Sequence, residues 1–395
     1  MSVVAPNGFA AASGAGGLKA AGKHDLALVV ALGDDERVVA VPAAATFTTN
    51  FAAAAPVRVS RAHLGATQGR SAAVVINAGN ANAVTGPQGM RDAEAMTSIV
   101  AGELGVAPEE VLVCSTGLIG IPLAMGPVAA ALPGLAAGLA QGRAAGHEVA
   151  QAIMTTDTVA KETVQRNAEI TVGGMAKGAA MLAPNMATML AVLTTDAACE
   201  PAVLSHLLRH AVSRSFNAIS VDGSTSTNDT VIVLAGGRAG PCKEDVLGDL
   251  LDRACADLAA QMVADAEGST KTARVTVTGA RSEGDAAAMA RRVGESDLVK
   301  CSLNGADPYW GRIVSELGSA GAGVDFDVDR VTISYGGIVV CRDGVAVAHD
   351  ESAVATHMAG SHIEIVCDVG LGDGEATLLA TDLGYGYIDE NRTTS

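Results

Sequence analysis

"KGAAMLAPNMATMLAVLTTDA", residues 177–197, is the stretch on which the reading of this chain turns. Lys177 stands in a run of small residues, Pro184-Asn185 makes a turn, and Met186, Ala187 and Thr188 lead into an apolar run. Two readings are open. In one, a buried strand simply begins with Thr. In the other, the chain is cut before Thr188, which becomes a catalytic N-terminus. A side-chain hydroxyl is a weak nucleophile unless a base stands beside it, and an N-terminal Thr carries its own base, the α-amine. That amine titrates near about 8, so it is partly neutral at working pH. Such a cut needs a small residue before the bond and a strained turn that presents the carbonyl to the hydroxyl. Ala187 and the Pro184-Asn185 turn are compatible with both needs.

Outward from this stretch the pattern is mixed α/β. "DLALVVAL" (25–32), "RVVAVPAAATFT" (37–48), "AAVVINAG" (72–79) and "EEVLVCSTGLIG" (109–120) read as strands bounded by Gly, Asn or Asp. "EITVGGMAKGAAML" (169–182) reads as a strand pair around Gly173-Gly174. Residues 91–105, 128–152, 200–216 and 243–268 read as helices, the first stopped by Gly105. From about 272 short strands return, with helices near 285–293 and 309–318. The 395 residues exceed one ordinary core and predict two domains, or one large one with an appended lobe; the boundary is placed near 280, giving a large domain 1–280 and a smaller one 281–395.

Composition narrows the function classes. Hydrophobic residues are 49% and charged residues 17%, enough for a large core and against bulk disorder. Aromatics are only 3%, so Ala, Val, Leu and Ile must build that core, packed closely through 46 Gly. The formal net charge of −17 argues against nucleic acid or an anionic membrane surface as partner. The seven Cys are scattered, with no C-x-x-C, which disfavours a disulfide framework or zinc ribbon and fits a reducing, cytoplasmic setting. The N-terminus lacks the cationic and apolar regions of a signal peptide, and no apolar run reaches the roughly 18 residues of a membrane helix.

Two motifs fail on inspection. "GGLKAAGK" (16–23, with His24 following) has phosphate-loop spacing, but His24 stands where Ser or Thr is needed and a strand follows instead of a helix. His206 and His210 share a helix face, but Leu-Leu-Arg between them lacks the Glu of a zinc peptidase. No metal or cofactor is expected.

The segment "GMAKGAAMLAPNMATMLAVLTTDA" (174–197) closely resembles the self-cleaving segment of the bifunctional ornithine acetyltransferase family, also called glutamate N-acetyltransferase, of arginine biosynthesis. "APNGFAAASGAGGLKAAGKHDLALV", "NAGNANAVTG", "CSTGLIG", "AIMTTDT", "SVDGSTSTNDT", "DAEGSTK", "LVKCSLNGADPYWGRI" and "ATDLGYGYIDEN" resemble further family motifs in the family's order, so the resemblance spans essentially the whole chain. It implies a large stacked-sheet domain of αββα type, like those of N-terminal-nucleophile enzymes, with a smaller C-terminal α/β domain. It implies cleavage between Ala187 and Thr188 into an α chain, 1–187, and a β chain, 188–395, assembled as two of each. Thr188 would carry acetyl from N-acetylornithine to glutamate by a ping-pong route.

Carried over by position, the resemblance makes Thr116 and Gly117 the oxyanion hole. It makes Thr155, Lys177, Thr188, Glu267 and Asn391 substrate contacts. A tail hydroxyl, Thr394 or Ser395, would complete the set, although the tail after Asn391 is a residue shorter than usual. A cation and hydroxyls suit an α-carboxylate, and a carboxylate suits an ammonium. Acetyl-CoA is a possible second donor. Asp222, Thr227, Asn228 and Asp229 form a polar cluster that either supports the nucleophile or is a plain turn; both readings stay open. The alternatives for the chain are an aminopeptidase or amidase on the same scaffold, a secondary-metabolism acetyltransferase, and an uncut amino-acid binder.

Overall fold

The computed structural model describes residues 2–181 and 189–392. Residues 1–217 with 224–262 form one compact unit, and residues 218–223 with 263–395 form another.

The first unit is built on two sheets among the described residues. One has the order β1 (Phe9–Gly14), β2 (Leu26–Ala31), β5 (Ala73–Asn80) and β6 (Val111–Leu118). The other has the order β4 (Arg70–Ser71), β3 (Val41–Phe47), β11 (Thr230–Pro241), β9 (Leu190–Ala198), β8 (Thr171–Lys177) and β7 (Lys161–Arg166). The β2 sequence LALVVA is buried at every position, as its unbroken apolar run requires of a strand covered on both faces. Ala11, Val29 and Ile76 of the first sheet meet Met175, Val192 and Ile232 of the second in one core between them. Helices α1 (Ala55–Ala66), α2 (Gly86–Leu104) and α3 (Met125–Ala137) cover the outer face of the first sheet, setting Val59, Met96, Val100 and Leu132 on Leu28, Val75 and Val113. Helix α4 (Arg143–Ala152) adds Val149 and Ala150 to the inner core. Helix α5 (Pro201–Ser213) packs on the second sheet, and α6 (Glu244–Ala264) is tied to its strand β7, where Asp257 accepts the Thr163 hydroxyl and Gln261 donates to the Glu162 carbonyl. The order is helix, sheet, sheet, helix, the αββα layering expected from the family resemblance.

In the second unit, a sheet of the described residues runs β10 (Ile219–Ser220), β17 (Gly374–Thr381), β12 (Thr272–Ala280), β16 (His362–Asp368), β13 (Thr332–Tyr335), β14 (Ile338–Arg342) and β15 (Val345–Ala346). Strand β16 alternates exposed and buried along its length, so one face is covered. Helices α7 (Glu283–Glu295), α8 (Asp297–Asn304), α9 (Trp310–Leu317) and α10 (Glu351–Ala359) cover it, with Met289, Leu303, Ile313 and Val354 in the same core as Val275, Ile365 and Leu378. A last helix, α11 (Tyr385–Asn391), ends the described chain.

Three expectations are corrected. The boundary falls in the last turn of α6, not near 280, because β12 is central to the second unit's sheet, held by β16 on one side and β17 on the other. The helix expected over 128–152 is two helices, α3 and α4, broken at Gly138 and Gly142. Gly173-Gly174 is not a turn: both lie inside β8, which pairs with β7 around the Asn167–Ile170 turn. Their missing side chains are a packing need. A Cβ on Gly173 would lie 2.4 Å from the Ser2 carbonyl oxygen, and one on Gly174 would lie 2.7 Å from Leu193 Cδ2.

The Gly-rich loop before β2 holds an internal anion in place of a phosphate. The buried Asp25 carboxylate accepts the N–H groups of Gly16, Leu18 and Lys19. His210 of α5 faces Asp252 of α6 at 3.3 Å. Among the described residues no group of three His, Cys, Asp or Glu is placed to hold a metal ion, and no helix is long and apolar enough to cross a membrane.

Candidate active site

Thr116 and Gly117 end β6, the edge strand of the first sheet. Neighbouring β5 bulges there, so that Asn80 stands opposite both Thr116 and Leu118. The bulge is tied by the buried "NAGNAN" segment. Ser115 Oγ donates to Asn77 Oδ1 at 2.5 Å, and Asn77 Nδ2 donates to the Asn80 carbonyl at 2.8 Å. Gly117 has φ +130°, and a Cβ there would lie 2.3 Å from the Gly79 carbonyl carbon, so two backbones meet where no side chain fits. Gly117→Ala is therefore expected to cost about 2–5 kcal/mol from strain plus overpacking. The denaturant midpoint reads this, and a stability equal to wild type would contradict the close approach. The Thr116 hydroxyl is buried and has no hydrogen-bond partner among the described residues. Orphaned buried hydroxyls are rare and mark strain or function. Here the orphan is a donor at a strand end, the form an oxyanion hole takes before substrate arrives.

The polar loop 220–230 has a structural part in this arrangement. Asn228 is buried, and its Nδ2 donates to the carbonyls of Ser115 at 2.8 Å and Ala81 at 2.6 Å, with its Oδ1 accepting from Thr227 at 2.6 Å. It thereby clamps the two chain segments that form the strand end. The loop is divided between the units: Thr227, Asn228 and Asp229 belong to the first and Asp222 to the second.

Thr155 and Lys177 are brought together by a residue that sequence reasoning passed over, Asp157. Its Oδ2 accepts the Thr155 N–H at 3.0 Å and lies 3.9 Å from Lys177 Nζ. Its Oδ1 accepts Gly178 N–H at 2.6 Å and Lys161 Nζ at 2.7 Å. Burial works to raise the Asp157 pKa, but the Lys177 and Lys161 ammonium groups outweigh it and bring the carboxyl down to about 2. Its charge is thus part of the fold. Because the folded pKa lies below the ordinary value of about 4, this contribution is complete above that value and disappears as pH falls toward about 2. Asp157→Asn is expected to destabilise the protein by about 3 kcal/mol at pH 7, since two buried cations lose their partner. About 2 kcal/mol of that difference should vanish by pH 2, as melts of both proteins across pH will show. A pH-independent difference would contradict it.

Lys19 is a further cation here. Its Nζ donates to the carbonyls of Ala152 at 2.6 Å and His24 at 3.2 Å. Burial lowers its pKa to about 8, helped by Lys177 and opposed by Asp25. Only its place in the failed phosphate-loop pattern drew notice to it in the sequence.

In the second unit Glu267 and Asn391, 124 residues apart, meet directly. Asn391 Nδ2 donates to Glu267 Oε2 at 2.8 Å and to the Tyr387 carbonyl at 3.0 Å. Gly268 makes the approach possible, because a Cβ there would lie 2.0 Å from Tyr387 N. Tyr387 donates its hydroxyl to Asp222 at 3.2 Å, and burial followed by the Asp222 charge pushes its pKa well up. Ala187, Thr188, Thr394 and Ser395 lie outside the described residues.

The ArgJ family model matches residues 10–393. The arginine biosynthesis bifunctional protein ArgJ of Mycolicibacterium paratuberculosis is 47% identical, the match covering 100% of this chain and 96% of that protein. The protein of the same name from Streptomyces coelicolor is 42% identical over 100% of both chains. Among solved structures, ornithine acetyltransferase complexed with ornithine from Mycobacterium tuberculosis is 41% identical over 46% of this chain and 94% of that one, with a TM-score of 0.41. The arginine biosynthesis bifunctional protein ArgJ of Bacillus halodurans is 32% identical over 50% and 96%, with a TM-score of 0.48. With a match across nearly its full length and close relatives of full coverage, this chain belongs to the ArgJ family.

Proposed function

We propose that this chain is a glutamate N-acetyltransferase of arginine biosynthesis, passing acetyl from N-acetyl-L-ornithine to L-glutamate. The observation that carries the chemistry is the buried Thr116 hydroxyl, which no described residue engages, beside Gly117 at the end of β6. Family membership supplies the substrates.

The chain first cleaves itself between Ala187 and Thr188. Thr188 Oγ then attacks the acetyl carbonyl, and its own α-amine takes the hydroxyl proton. The developing oxyanion is held by the Thr116 hydroxyl and the Gly117 N–H. The α-ammonium returns the proton to the ornithine nitrogen as the C–N bond breaks, leaving acetyl as an ester on Thr188. The glutamate amine attacks that ester, N-acetylglutamate leaves, and the hydroxyl is restored. Lys19, Lys161 and Lys177 stand around the carboxylates of Asp157 and Asp25, three cations to two anions, which suits the α-carboxylate of an amino-acid substrate. Glu267, held by Asn391, suits an ammonium. The tail hydroxyl of Thr394 or Ser395 completes the set, and the working assembly is two α and two β chains.

The test is an acetyl-exchange assay. N-acetylornithine with glutamate should give N-acetylglutamate and ornithine in equal amounts. Acetate release that ignores glutamate would replace this reading by a hydrolase. Acetyl-CoA with glutamate in a parallel assay reports the second donor. Light scattering should give twice the chain mass, and any other mass would refute the assembly.

A further inference from the structure

Asp229 is a buried acid that the mechanism above does not use. It sits at the N-terminal end of β11, just before Thr230, which pairs with Leu190 of β9. Its Oδ1 accepts the Met189 N–H at 2.9 Å. That nitrogen is the one bonded to the carbonyl carbon of Thr188. Its own backbone is held too: the Asp229 carbonyl accepts the Thr48 N–H at 2.9 Å. The side chain is fully buried, and Oδ2 accepts no hydrogen bond from the described residues. The Ser226 hydroxyl is close enough to favour the charged carboxylate, and the charged group acting on it among the described residues is Lys177, on β8.

A buried carboxyl with one oxygen that no described residue engages is an expensive arrangement. Burial pushes its pKa well above the ordinary carboxylate range, against the Met189 N–H, the Ser226 hydroxyl and Lys177. In the uncut chain it therefore favours the protonated form. Cleavage changes the local inventory: it creates an amine on the residue whose carbonyl carbon is bonded to the nitrogen that Asp229 already holds. An ammonium appearing there would favour ionisation of the acid.

We propose that Asp229 is a positioning residue for the acetyl transfer: its Oδ1 fixes the nitrogen that carries Thr188, and its charge stabilises the α-ammonium of Thr188 as that amine takes the hydroxyl proton. The proposal rests on the reading of Thr188 as nucleophile. The acid itself neither gains nor loses a proton in the step. The proton moves from Thr188 Oγ to the α-amine and on to the leaving nitrogen, and Asp229 stabilises the charge in between.

Asp229→Asn keeps an oxygen for the Met189 N–H and removes the charge. The chain should fold, by circular dichroism, and cleave. The acidic limb of its kcat/KM profile for acetyl exchange should move down by about 1 pH unit, because a nearby carboxylate no longer favours the ammonium. Its kcat should fall about tenfold, the rate equivalent of that shift. A merely structural acid would leave the limb in place. An uncut chain, or an unmoved limb with wild-type kcat, would overturn the proposal. If the Asn variant does not fold, Asp229→Ser, whose hydroxyl still accepts from Met189, carries the same readouts and the same outcomes. Thr188→Ala run beside them separates the two claims. Exchange surviving in that variant would sink the nucleophile reading, whereas a dead Thr188→Ala beside an unshifted Asp229→Asn would sink only this one.

Discussion

Thr188→Ala is expected to give one full-length chain on a denaturing gel and no acetyl exchange. Both effects come from one atom. On the proposed mechanism, the hydroxyl that cuts the chain is the one that later carries acetyl, and the base that serves it does not exist until the cut releases the α-amine. Loss of nucleophile and base together is expected to lower exchange by at least about 10⁴-fold. Thr188→Ser, which restores the hydroxyl on the same backbone, should cleave and regain measurable exchange. Wild-type protein should instead run as two bands of similar size, chains 1–187 and 188–395. Exchange in the Ala variant, or a single band from active wild-type protein, would refute the assignment.

Thr116→Val should separate rate from stability. The two side chains have nearly the same shape, and the change removes a buried hydroxyl that no described residue engages. Leaving such a group unsatisfied costs about 1–3 kcal/mol, so the Val variant should melt at or above the wild-type temperature. Its kcat should nevertheless fall about 10²–10³-fold with KM little changed, the usual consequence of removing one oxyanion donor. A fall in stability would mean the hydroxyl has a structural partner. Unchanged kcat with unchanged stability would remove Thr116 from the oxyanion hole.

Much of the fold was legible where the signal is local. The apolar run of β2, the strand of "AAVVINAG", and the helices α5 and α6 follow from composition, periodicity and Pro or Gly at their ends. The stop of α2 was legible in the same way, since Gly105 ends it at φ 70°. Glycine was the main source of error. Gly138 and Gly142 interrupt a helix, whereas Gly173 and Gly174 sit inside a strand because Ser2 and Leu193 press against them. The same residue type serves a break and a close contact, and nothing within a few positions distinguishes the two.

The sequence by itself determined the proposed inventory of the site: the Ala187-Thr188 junction, adjacent Thr116 and Gly117, and Thr155, Lys177, Glu267 and Asn391, all set in order by resemblance to one family. Only the tertiary structure decided which groups hold these in place. Asn228 reaches carbonyls 113 and 147 residues away. Asp157 joins Thr155 to Lys177, and Asp229 grips the residue after the junction across 40 positions. Capping and periodicity are written within a turn or two of helix or strand, so a chain displays them openly. A buried acid or amide acquires its role from partners that only the completed sheet brings within 3 Å.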